Sequence, residues 1–65
     1  MNIILNGKPA SADEGDTLAS LIARLNVEGH IAAQVNEEVI PRAELSRKRL
    51  AEGDMVELLR MMGGG

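Results

Sequence analysis

The chain closes on Arg60-Met61-Met62-Gly63-Gly64-Gly65, a run of bare glycines behind an apolar segment. Glycine has no Cβ, so such a tail can take almost any backbone conformation and enter a narrow channel. Its free carboxylate is a possible nucleophile toward the α-phosphate of ATP. Fixing the tail costs about 1–2 kcal/mol per residue in backbone freedom, so it is a poor way to close a domain and a good way to present a reactive end. The same three residues also suit a frayed terminus or glycines left by cloning. From Met61, the four following residues can reach about 13–14 Å, enough for Gly65 to enter a deep pocket while the body stays outside.

The remaining residues offer little other chemistry. His30 is the one histidine and is expected in a surface loop beside Gly29. It has neither the triad partners of a nucleophilic site nor the spacing of a metal ligand. Asp13, Glu14 and Asp16 do not follow a calcium-loop pattern and read as turn residues. Gly7, Gly15 and Gly53 read as turn glycines, and no phosphate-binding loop is present. Without a paired acid and base, nucleophile or metal cluster, the chain is not expected to be an independent enzyme.

Composition narrows the field further. A chain of 65 residues makes one small domain, near the size at which only ~60% of the unfolded surface is buried. No cysteine is present, which excludes disulfides and zinc–thiolate sites and fits a cytoplasmic protein. The longest apolar runs are three residues, too short for a membrane span. A net charge of −3 and the lack of Phe, Trp and Tyr argue against nucleic-acid binding.

The elements that must carry the tail are legible in the pattern. Ile3, Ile4 and Leu5 form a strand before Asn6-Gly7, a strong hairpin signal. Lys8 to Ala12 follows as a second strand, which Pro9 assigns to an edge. Thr17 is a candidate N-cap, and Leu18, Leu21, Ile22 and Leu25 lie at the i, i+3, i+4, i+7 spacing of an amphipathic helix that Asn26 and Gly29 end. Ile31 to Val35 predicts a third strand, Val39-Ile40 a short fourth stopped by Pro41, and Ala43 to Leu50 a helical turn with a loop. The last strand runs from Met55 to Met62, with Val56 and Leu58 on one face and Met55, Glu57, Leu59 and Met61 on the other.

This order predicts an α+β fold in which a mixed sheet packs one face on one main helix. The helix stripe would be buried against Ile3, Leu5, Val35, Val56 and Leu58. In a β-grasp arrangement the first and last strands would be parallel neighbours at the sheet centre. Residues 1–62 would form the domain and 63–65 the flexible reactive tail.

The whole chain resembles the small sulfur carriers of the ubiquitin-like β-grasp fold, the ThiS and MoaD superfamily, and the ThiS carriers of thiamine biosynthesis in particular. The resemblance lies in Ile4-Leu5-Asn6-Gly7, Thr17-Leu18, Ala33-Gln34-Val35-Asn36, Val39-Ile40-Pro41-Arg42, Glu52-Gly53-Asp54 and Gly64-Gly65, in that order. It implies that a ThiF-like adenylating enzyme uses MgATP to activate the Gly65 carboxylate, with Gly63 and Gly64 as the tail. Sulfur from a cysteine desulfurase relay would replace AMP to give a C-terminal thiocarboxylate. A ThiG-like thiazole synthase would then take that sulfur. No bound cofactor or metal is implied. Other readings are a MoaD-like carrier for molybdopterin or another pathway, a ubiquitin-like conjugated modifier, and a β-grasp interaction module. Strand parity, read with this fold, places Ile4, Leu59 and Met61 on a candidate partner surface; Met62 is added to it, with Arg42 and Arg60 facing acidic groups of a partner.

Overall fold

The computed structural model describes residues 1–27 and 29–61, the last of these through its backbone alone. Five strands and one helix follow in the order β1 (Asn2–Leu5), β2 (Lys8–Ser11), α1 (Leu18–Leu25), β3 (His30–Val35), β4 (Glu38–Ile40) and β5 (Met55–Met61), with a single 3₁₀ turn at Arg42–Glu44. The strands form one sheet in the spatial order β2-β1-β5-β3-β4. Strands β1 and β5 run parallel, with Ile4 opposite Met55 and Leu5 opposite Val56. The other pairings are antiparallel. The strand that precedes the tail is therefore the middle strand of the sheet.

Local chemistry explains each turn. Asn6 and Gly7 both take positive φ, at 50° and 81°, the backbone that a tight type I′ hairpin needs. Pro9 lies on β2, an edge strand, where its missing N–H interrupts no inner ladder. Thr17 caps α1: Ser20 N donates to Thr17 Oγ1 at 3.1 Å, and Thr17 N donates to Ser20 Oγ at 2.8 Å. Such caps stabilise a helix by about 1 kcal/mol. Asn26 ends it in the left-handed region at φ 56°.

Period-two alternation sends Ile3, Val35, Ala33 and Val56 to one face of the sheet, where Leu18 and Leu21 of α1 cover them. Ile3, Leu18, Leu21, Val35 and Val56 are essentially sealed from water. Each such side chain contributes about 1.5–3 kcal/mol by its burial. Ala12, Ile40 and Leu50 complete the core, with Leu5, Leu45 and Leu58 packed at its margin.

Four expectations change in detail. Leu25 is 41% exposed, because α1 stops at this residue and its last turn is not roofed by the sheet. His30 is not in a loop; Gly29, at φ 95°, turns the chain one residue earlier and His30 opens β3. Ala12 lies beyond β2, which ends at Ser11, and is drawn into the core instead. The helical piece before β5 is only the 3₁₀ turn at Arg42–Glu44.

Candidate functional site

Because β5 leads into the glycine run of the sequence, the candidate site begins with what holds that strand. On one side β3 pairs with it over six positions, from Val35 opposite Val56 to His30 opposite Met61. On the other side β1 supplies only two register pairs before the hairpin turns it away.

Two asparagines extend these ladders with their side chains. Asn36, at φ 51°, donates its backbone N–H to the Met55 carbonyl at 2.8 Å and accepts the Met55 N–H on its side-chain Oδ1 at 2.9 Å. Asn6 donates its backbone N–H to the Val56 carbonyl at 2.9 Å and accepts the Leu58 N–H on Oδ1 at 2.8 Å. In both, positive φ has turned the main-chain carbonyl off the ladder and the side-chain amide stands in for it. Sequence pattern shows these residues only as turn formers. The one available signal is that asparagine combines tolerance of the left-handed region with an amide carbonyl.

The sheet face opposite α1 carries Ile4, Met55, Glu57 and Leu59 on the two central strands. Leu59 is 60% exposed and Met55 59% exposed, while Ile4 is half-buried. Across the register Leu59 stands opposite Ala32, and Val39 on β4, also exposed, stands opposite Gln34. Ile4 and Leu59 thus share the open face that strand parity assigns them. Met55 and Val39 belong to the same face and were not singled out from the sequence, although parity along β5 places Met55 there.

Arg42 sits in the 3₁₀ turn with its Nη1 3.3 Å from Nδ1 of His30. His30 is in turn the register partner of Met61. Arg60 pairs in register with Ile31 and runs past Gly29, where an added Cβ would lie 3.8 Å from its Nε. Both arginines are therefore at the end of the sheet where β5 gives way to the tail. The side chain of Met61 and residues Met62, Gly63, Gly64 and Gly65 lie outside the described residues.

The acidic turn before α1 serves the fold. Asp16 is nearly buried and accepts from Arg24 Nη2 at 2.8 Å, from Asp13 N at 2.8 Å and from Ser20 Oγ at 2.9 Å. The guanidinium of Arg24, followed by the Asp13 N–H, holds the Asp16 carboxyl down to about 2, while the carboxylate raises Arg24. Asp13 lies 3.7 Å from the same arginine. Among the described residues no group of three acidic, histidine or cysteine side chains could hold a metal ion. None of the described helices is long and apolar enough to cross a membrane.

A mixed five-stranded sheet with a central parallel pair and one helix across one face defines a ubiquitin-like β-grasp protein. The ThiS family model matches residues 3–65, and the chain belongs to the ThiS family. The sulfur carrier protein ThiS of Thermus thermophilus is 37% identical over 94% of this chain and 95% of its own length. The crystal structure of a thiamine biosynthesis protein (ThiS) from Geobacter metallireducens superposes with a TM-score of 0.86, at 35% identity and full coverage of both chains. The thiazole synthases of Magnetococcus marinus and Paramagnetospirillum magneticum match the whole chain at 35% and 26% identity, and the chain spans about a fifth of their length.

Proposed function

We propose that this protein is a sulfur carrier of thiamine biosynthesis, a protein cosubstrate whose Gly65 carboxylate is the reacting group. The observation that carries the reading is the family match through residue 65, joined to a sheet whose middle strand leads into the glycine run. A carboxylate is a poor acyl donor. Attack of its oxygen on the α-phosphate of MgATP, held by a ThiF-like partner, releases pyrophosphate and leaves AMP as a good leaving group. The terminal sulfur of a persulfide, supplied by a cysteine desulfurase relay, then adds to the unhindered glycyl carbonyl and expels AMP. A thiol cleaves the S–S bond of the acyl disulfide so formed, leaving as a disulfide with the relay sulfur. The resulting thiocarboxylate passes its sulfur to a thiazole synthase, returning the carboxylate. The longer thiazole synthases that contain a stretch similar to this chain support that partner. These reactions would take place in the cytoplasm.

The open sheet face supplies recognition in this reading. Ile4, Met55 and Leu59 form apolar ground leading toward the tail, and methionine adapts to more than one partner. Arg42, beside His30 at the exit of β5, and Arg60, near the end of the same strand with the parity of Val56 and Leu58, would meet carboxylates around a partner's channel.

The test is intact mass after incubation with MgATP, the adenylating enzyme, and a desulfurase with cysteine. A gain equal to exchanging one oxygen for one sulfur, mapped to Gly65, is the expected result. An unchanged mass beside a carrier that the same enzymes do convert would overturn it.

A further inference from the structure

The β1 side of β5 has only two register pairs, at Ile4–Met55 and Leu5–Val56. In a parallel ladder a residue donates its N–H to one neighbour on the facing strand and accepts, on its own carbonyl, from the residue two further on. Asn6 donates to Val56 O and accepts from Leu58 N, which is that spacing. It therefore occupies a third register position, opposite Glu57, with Oδ1 in the role of the main-chain oxygen. Of the bonds described between the β1 hairpin and β5, the one to Leu58 lies furthest toward the tail.

We propose that Asn6 is a positioning residue for the tail. Its side chain, more than fifty positions away in sequence, fixes where β5 ceases to be held from two sides, and so fixes the direction in which the chain leaves the sheet toward Gly65. The inference rests on the carrier reading and deepens it. A tail that must enter a channel loses productive encounters when its root swings, since positioning of the reacting end is part of the barrier. The hairpin itself needs only a residue that accepts positive φ. Its conformation and its amide are therefore separable.

Substitution separates them. Asn6→Gly keeps the φ of 50° without strain and removes the acceptor. Asn6→Asp keeps both the conformation and an acceptor oxygen. The measurements are hydrogen exchange at the Leu58 amide and kcat/KM of the full chain as a substrate of the adenylating enzyme, with melting temperature as control. In Asn6→Gly the Leu58 amide is expected to exchange faster and kcat/KM to fall roughly two- to tenfold, the weight of one net hydrogen bond. Asn6→Asp is expected to restore both, and the fall in melting temperature in Asn6→Gly should stay within the several degrees that one net hydrogen bond is worth. Equal kcat/KM in the parent and Asn6→Gly, despite faster exchange at Leu58, overturns the inference while leaving the carrier reading intact. So does a melting loss in Asn6→Gly as large as that of a core truncation, which would make Asn6 a structural residue only. A parent chain that is not adenylated at all removes the carrier reading, and this inference falls with it.

Discussion

The two faces of the sheet are built from the same strands and serve opposite ends. Along β5, Val56 is sealed beneath α1 while its neighbours Met55 and Glu57 stand in solvent, and Leu58 packs at the core margin while Leu59 is left bare. One face is given to stability by a chain that has no aromatic residue. The other is left uncovered in a protein small enough that every covered leucine counts. The difference leaves Met55, Leu59 and Val39 exposed on the face that α1 does not cover, which is the face the carrier reading offers to partners.

The largest blow to that comparison falls on the covered face. Leu21→Ala, deep between α1 and the sheet, is expected to cost about 2–5 kcal/mol in chemical denaturation, enough to threaten a domain of this size. A cost below 1 kcal/mol would mean that the two faces do not differ as described. Smaller effects belong to the helix start. Removing the Thr17 hydroxyl with Thr17→Ala should cost about 1 kcal/mol in the same measurement. Asp16 adds a pH signature there. Its folded carboxyl is held down to about 2 from the ordinary aspartate value of 3.8, so its stabilisation is complete above about pH 5 and is lost progressively as pH falls through 2. Asp16→Asn should flatten that part of an acid-melting curve, and an unchanged curve would assign the acid response elsewhere.

On the open face the order reverses. Leu59→Glu is expected to shift stability by no more than ~0.5 kcal/mol and to weaken binding to the adenylating enzyme measurably in calorimetry. A stability loss larger than the binding loss would return Leu59 to the core. Deleting Gly65 is expected to have the smallest effect on melting and the greatest on chemistry, with adenylation abolished. A marked fall in melting temperature would show that the tail supports the fold.

Much of the architecture was legible because local signals agreed with one another. The Asn6-Gly7 hairpin, the Thr17 cap, the helical stripe and the alternation along β5 all point to one sheet roofed by one helix. What escaped pattern were side chains whose roles depend on distant backbone. Leu50 and Ala12 enter the core from irregular segments, where no periodicity marks a buried position. Leu25 fits the stripe yet lies past the roofed part of α1. His30 joins β3 because Gly29 turns early, and only then does Arg42 come within reach. Asn6 and Asn36 announce turns, whereas their amides bond to β5 across the molecule. At the site, residue type and parity placed Ile4 and Leu59 on the open face, while the contact between Arg42 and His30 had no sequence signal.

The central place of β5 also has a mechanical consequence. A load applied through residues beyond Met61 runs along the axis of a strand bonded to parallel β1 on one side and antiparallel β3 on the other. Backbone bonds on both flanks then lie across the direction of force and share it in shear, instead of opening one after another as at a peeled edge strand. A pull on the C-terminal end of β5 is therefore resisted by both flanking ladders at once.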